Sequence, residues 1–224
     1  MQEEYRRRND EIPTDLYAPW QPAEIFMRAG RKRVAAAMLH QAGVFPKRGD
    51  KCLEVGFGSQ GWLGDLITWD VRENDLHGIE LDSSRAKHAK EILPNADLRV
   101  GDATDLPWND NSFRLVITST VFTSILDSSV RELLASEITR VIAPGGALLW
   151  YDFAVNNPQN PNVRGVGRKE LLRLFPRLGG RVKRVTLAPP LARLLVPRCF
   201  TLASLLECLP AFRTHLIAVL VKNL

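Results

Sequence analysis

Cys52-Leu53-Glu54-Val55-Gly56-Phe57-Gly58-Ser59-Gln60-Gly61 decides the reading of this 224-residue chain. An apolar strand runs into three glycines, and a helical pattern follows. Glycines at such a turn let the backbone approach a ligand closely, with the amides of the helix N-terminus turned toward it. The spacing is GxGxxG, which by itself fits a tight strand-to-helix turn or a nicotinamide-binding fold. Glu54, two residues before the first glycine, argues against the nicotinamide reading. A carboxylate there repels a pyrophosphate. A sulfonium ligand bearing an ammonium group tolerates it or benefits from it.

Outward from this turn, apolar strands alternate with amphipathic helices. Strands are predicted at 51–55, 75–80, 97–100, 114–119 and 147–152, with helices near 61–68, 83–92 and 130–142. Such alternation builds βαβ units and a parallel sheet, and right-handed crossovers put helices on both faces. Upstream, 23–43 reads as a helix stopped by Gly43, and the proline-punctuated stretch 1–22 as an arm. After Asp152 the rhythm breaks. An Asn- and Pro-rich loop at 156–162 is followed by a short helix at 168–175 and a strand at 182–187. Proline-bounded helical pieces fill 190–210, and a β-prone run closes the chain at 214–221. Two late strands around a helical insert predict an antiparallel edge and a cap over a pocket. The expected organisation is one domain, 1–224, with an N-terminal arm (1–22), a cofactor-binding core (23–152) and a substrate-side loop, cap and late strands (153–224).

Two further motifs place carboxylates at the ends of the second and third strands. In Leu76-His77-Gly78-Ile79-Glu80-Leu81-Asp82, the acid Glu80 ends a strand about twenty residues past the glycines, where it can accept hydrogen bonds from ribose hydroxyls; Asp82 suits a helix cap. In Val100-Gly101-Asp102-Ala103-Thr104-Asp105-Leu106-Pro107-Trp108, Asp102 can accept from an adenine amino group, and Leu106 or Trp108 can pack near the base.

Composition narrows the class. Hydrophobic residues make up 45% of the chain, enough for a full core, and Pro and Gly are not in excess. Cys52, Cys199 and Cys208 match no zinc or CxxC spacing and read as reduced thiols. No apolar run reaches the ~18 residues of a membrane helix, and the polar segment Met1 to Glu11 lacks the apolar region of a signal peptide. A cytoplasmic protein is expected. The net charge of +5 is uneven: from Arg164 onward, 12 Lys or Arg stand against Glu170 and Glu207. That basic third faces either solvent or an anionic partner such as phosphate, a lipid headgroup or nucleic acid.

Asn111-Ser112-Phe113-Arg114-Leu115-Val116 and Glu137-Ile138-Thr139-Arg140-Val141-Ile142-Ala143-Pro144-Gly145-Gly146 complete the pattern. In order and spacing, the segments from Leu53 to Asp152 resemble the class I S-adenosylmethionine-dependent methyltransferases. The resemblance covers about 100 residues. It implies a Rossmann-like α/β fold: a central, mostly parallel, seven-stranded sheet flanked by helices, with an antiparallel edge strand and a C-terminal helical cap insert. It implies S-adenosyl-L-methionine as cofactor, bordered at its methionine part by Gly56, Phe57 and Gly58, with Glu80 on the ribose and Asp102 near adenine. Glu54, Leu81, Ala103 and Ser119 complete the expected cofactor-binding set. Gln60 stands where the family often has a third glycine, and Arg114 where it usually has Asp.

Methyl transfer is an in-line displacement whose leaving group is the sulfonium, so the protein mainly aligns the reactants, and no metal is required. A hydroxyl nucleophile benefits from a base. Asp152 and His215 are the candidates, and Tyr151, Asn156 and Arg164 are the expected substrate-binding residues. Phe122, Ile125 and Leu126 after the fourth strand, and the apolar cap at 191–209, line the pocket or simply pack. The segments Trp150 to Arg164 and Thr186 to Arg193, with Arg213-Thr214-His215, resemble a bacterial subgroup acting on glycans, glycolipids or secondary metabolites. The leading expectation is therefore methylation of a small-molecule, glycan or glycolipid acceptor at oxygen, with peripheral membrane contact open and nucleic acid disfavoured. The alternatives are an RNA methyltransferase, suggested by the basic third, and a cofactor-binding regulatory protein without catalysis. A nicotinamide-dependent oxidoreductase has no use for Asp102 or the Pro-Gly-Gly turn.

Overall fold

The first strand, β1 (Cys52–Val55), is buried on both faces, as a central parallel strand must be. It pairs in parallel with β2 (Leu76–Glu80) and β4 (Phe113–Ser119), and β2 pairs in parallel with β3 (Asp97–Val100). β5 (Ile142–Phe153) runs parallel to β4. Two late strands, β6 (Leu178–Leu187) and β7 (Arg213–Lys222), complete the sheet; β7 is antiparallel to both β5 and β6. Among the residues that this computed structural model describes (18–58, 61–157 and 160–223), the sheet has seven strands in the order β3-β2-β1-β4-β5-β7-β6. The antiparallel β7 is thus second from the edge and β6 lies outside it. Residues 1–17 of the predicted arm, and Gln60, lie outside the described residues.

One face of the sheet is covered by α1 (Pro22–Gln41), α2 (Leu63–Thr68) and α3 (Ser83–Ile92), through Ala35, Met38, Leu39, Leu66, Ala86 and Ala89. The other is covered by α4 (Ser128–Val141) and α5 (Arg168–Leu174), through Leu134, Ala135, Ile138 and Leu171. A third cluster joins Phe26 and Met27 of α1 to the insert between β6 and β7, which forms α6 (Pro189–Leu195) and α7 (Phe200–Cys208). Asp82 caps α3 by accepting from the Ser84 and Arg85 amides, as expected for that acid.

The strand expected at 147–152 begins earlier, at Ile142. Its Pro-Gly-Gly turn is absorbed as an irregularity in the β4–β5 ladder: Phe113 pairs with Ile142 but Leu115 with Ala147. Arg114, in the place of the family's usual Asp, donates to the Gly145 and Gly43 carbonyls and so holds this turn.

Candidate functional site

The parallel strands end on one edge, and register brings the predicted residues there. Val55 faces Ile79 and Thr118, Glu80 faces Val100, and Ser119 faces Tyr151. Asp152 faces Leu216 and Phe153 faces His215 across the antiparallel pair. In open α/β sheets this carboxyl edge is where ligands bind.

The β1–β3 half of the edge carries the glycine turn. Gly56 has φ of 71° and donates its amide to the Ile79 carbonyl. A Cβ there would sit 2.5 Å from Cγ2 of Val121, so both conformation and space require glycine. At Gly61 a side chain would run into the Glu54 carboxylate. Glu54 is buried beneath the turn. Its Oε2 accepts from the Trp62 and Leu63 amides at 2.7 and 3.1 Å, capping α2, while Oε1 has no partner among the described residues. Burial pushes its carboxyl up to about 8, although those two amides pull the other way.

Glu80 reaches back to the turn. Its Oε2 accepts from the Gly58 amide at 2.8 Å and its Oε1 from the Asp82 amide at 3.0 Å. Each carboxylate oxygen can still accept another hydrogen bond. Asp102 is exposed. Its Oδ1 accepts from the Thr104 amide and hydroxyl, and no described residue occupies Oδ2. Leu81, Ala103 and Ser119 are half-buried beside these groups. The Phe57 side chain points away from the turn, into the core against Gly78, so only its backbone borders the site. Leu106 is buried, and Trp108 packs on His77 and Phe113 and donates to Asp97, a residue at the opposite end of β3 from Val100.

The β4–β7 half is closed on itself. Asp152 is buried and accepts from the Thr123 hydroxyl at 2.7 Å and from the Thr123 and Phe153 amides. Desolvation pushes its carboxyl up to about 6 against those bonds. His215 is buried between Tyr151, stacked at 4.8 Å, and Phe153, and desolvation brings it down to about 3, so it is neutral in ordinary buffers. Tyr151 bonds the Thr186 hydroxyl at 2.9 Å, and burial raises its phenol to about 12. Thr120 and Thr186 both have left-handed backbones, unusual for β-branched residues. Both touch Tyr151: the Thr120 amide donates to its carbonyl, and Thr186 meets its hydroxyl. Asn156 accepts from the Gly165 amide, and Arg164 pairs with Glu170 at 2.8 Å; both brace the 154–167 loop.

Sequence reasoning missed two arginines. Arg31 of α1 lies over the rings of Trp62 and Tyr151, at 5.1 and 5.2 Å, which places a cation between the two halves of the edge. Arg131 is fully buried. It donates to the Ile125 and Arg164 carbonyls and pairs with Glu170 at 2.7 Å, binding the 125 and 164 loops to α4. Neither sits in a local motif, so only their position in the fold marks them. The Glu137–Arg140 stretch also has a structural reason. Glu137 accepts from the Leu106 amide, and Arg140 donates to the Leu106 and Trp108 carbonyls, holding the segment that follows Asp102.

This sheet order, the glycine turn and the carboxylates that follow it define a Rossmann-like class I methyltransferase fold. Residues 53–150 match the family model described as "Methyltransferase domain". It is 29% identical over 143 residues to a probable S-adenosylmethionine-dependent methyltransferase of Mycolicibacterium smegmatis, covering 60% of this chain and 53% of that one. It is 33% identical over 111 residues to the phthiotriol/phenolphthiotriol dimycocerosates methyltransferase of Mycobacterium tuberculosis, covering 49% and 40%. The chain spans about half the length of the curated relatives it matches. A putative sarcosine dimethylglycine methyltransferase from Galdieria sulphuraria has the same fold, with a TM-score of 0.66 at 16% identity over 86% of this chain and 85% of that one. The cofactor this family implies is S-adenosylmethionine. The residues present fit it: a carboxylate oxygen of Glu54 without a partner among the described residues suits its cationic methionine end, and no described residue lies within 4 Å of where a Cβ on Gly58 would stand, which leaves the backbone open there. No helix among the described residues is long and apolar enough to cross a membrane.

Proposed function

We propose that this chain transfers the methyl group of S-adenosylmethionine to an oxygen of a small-molecule, glycan or glycolipid acceptor. The observation that carries the reading is Glu80, held against the glycine turn by the Gly58 amide with acceptor capacity to spare. When bound, S-adenosylmethionine supplies both the methyl group and, as a sulfonium, the leaving group. Gly56, Phe57 and Gly58 would border its methionine part through backbone, Glu54 would face its ammonium, Glu80 its ribose and Asp102 its adenine amino group.

The β4–β7 half does its work by position. Asp152 holds the turn at Thr123, and His215 fixes the Tyr151 ring. Their bonds are made within the chain, so alignment of acceptor and methyl carbon carries the reaction in this reading. Tyr151 and Arg31 form the wall that an acceptor meets. The relative named for phthiotriol acceptors supports a small-molecule substrate. The RNA alternative loses part of its support, because three cations of the basic third are spent within the chain. Arg164, Arg213 and Lys222 are each bonded within the chain: Arg164 to Glu170, Arg213 to backbone carbonyls, and Lys222 to two carbonyls and Asn111.

Calorimetric titration with S-adenosylmethionine and S-adenosylhomocysteine, followed by an acceptor screen, tests the proposal. Both ligands are expected to bind, and Glu80→Ala to weaken both without unfolding the protein. Failure of either ligand to bind would remove the reading.

A further inference from the structure

Helix α7 packs inward through Ala203 and Leu206 but also turns an apolar face to solvent. A surface helix normally turns its large apolar residues toward the core. Here the side chain that is fully buried is the small Ala203, while Leu205 is 62% exposed, Leu209 just past the helix 51% and Leu202 42%. Leu194 of α6 and Phe200 at the start of α7 extend the same exposed apolar surface. The one charged residue of α7, Glu207, faces inward: a Cβ on Gly30 of α1 would lie 3.4 Å from its carboxylate. The outward face therefore carries no charge of its own.

Its rim is basic. Arg198 lies between α6 and α7, exposed and bonded to the Leu194 carbonyl. Arg181, Lys183 and Arg184 are exposed on the edge strand β6. Arg213 fastens that strand to the end of α7 by donating to the Arg184 and Cys208 carbonyls. From Arg177 to Lys222 the sole acid is the inward-facing Glu207. An uncharged apolar face with a cationic border is the pattern of a helix lying in the interface of an anionic bilayer. A second copy would bring two basic rims together, which charge opposes.

We infer that α6 and α7, with the β6 edge, form a docking surface for an anionic lipid membrane. The insert leaves and rejoins the sheet at Leu187 and Arg213, on the same carboxyl edge as the candidate site. Docking would set that edge close to the lipid surface, whatever the acceptor.

Co-sedimentation with vesicles tests it on the full chain. Binding is expected to equimolar phosphatidylglycerol and phosphatidylcholine vesicles, to fall with added salt, and to be at least about tenfold weaker to phosphatidylcholine alone. Leu202→Ser with Leu205→Ser, and separately Lys183→Glu with Arg184→Glu, should each lower the partition coefficient about tenfold or more with melting temperature retained. Lys87→Glu with Lys90→Glu on α3 should leave it unchanged. In Cys199→Ser, an environment-sensitive dye on exposed Cys208 should shift to the blue on adding the anionic vesicles. Equal binding to neutral vesicles, no binding to anionic ones, or undiminished binding by the leucine variants overturns the inference. So does light scattering that shows a dimer dissolved by Leu202→Ser with Leu205→Ser, which would make this face an interface between copies.

Discussion

The two halves of the sheet's carboxyl edge contrast sharply. Around β1–β3 the polar groups are left with capacity: Oε1 of Glu54 has no partner among the described residues, Glu80 accepts one amide on each oxygen, and Asp102 stands exposed. Around β4–β7 the titratable groups are engaged within the chain, while the Thr118 hydroxyl and the Trp150 indole N–H are buried with no partner among the described residues. Asp152 is saturated by Thr123 and Phe153, His215 is clamped between rings, and Tyr151 is bonded to Thr186. On the proposed function, the first half would receive the ligand and the second hold a shape, since a buried polar group is costly unless bonded.

Substitutions can break that contrast. The largest expected effect is on stability, in the shape-holding half. Arg131→Ala removes a buried cation with three partners, leaving the Ile125 and Arg164 carbonyls without that donor while Glu170 keeps Arg164, and should cost about 2–5 kcal/mol in denaturant unfolding. Next, Glu80→Ala should weaken S-adenosylhomocysteine binding by roughly 10- to 100-fold, the worth of hydrogen bonds to a charged group, with little change in melting temperature. Asp102→Ala should do the same by about tenfold, for a single bond. If both variants bind as the parent does, the open half is not the cofactor half.

Glu54 sharpens the comparison through pH. Its folded carboxyl is raised to about 8, above the ordinary carboxylate value, so the stability its neutral form contributes is complete below about 4.5 and is lost as pH rises toward 8. Without ligand, Glu54→Gln should therefore gain in melting temperature relative to the parent between pH 5 and 8, and the gap should level off above that. With S-adenosylmethionine the advantage should shrink, because the cation favours the ionised parent. The smallest effect is expected from His215→Phe. With a group held neutral down to about 3, the pH–rate profile above pH 5 should keep its shape. A lost limb in that profile would restore His215 as the base expected from sequence.

The legible part of the site is the part made by short runs. The glycine turn, Glu80 and Asp102 each follow a strand within a few residues, so strand ends and turn chemistry were enough to place them. Asp152 was expected at the end of the fifth strand and His215 in the late strand beside the cap, where they lie, yet their burial was not readable. It depends on Thr123, Phe153 and Tyr151, which come from three separate parts of the edge. Phe57 shows the same gap in reverse: it belongs to the glycine motif, but its ring fills the space over Gly78. The cap was expected to bury its apolar residues or to line a pocket; its helices are there, but Leu194, Phe200 and Leu205 face solvent, because Ala203 and Leu206 fill the contact with α1.

Alternation of strand and helix, the glycine spacing and the strand-end carboxylates determined the core fold and its glycine turn, because those preferences act over a few residues. Arg31 between two rings, Arg131 under two loops and the outward leucines of α7 were decided by tertiary structure. Each depends on which distant surface arrives beside it, and packing across the whole sheet settles that.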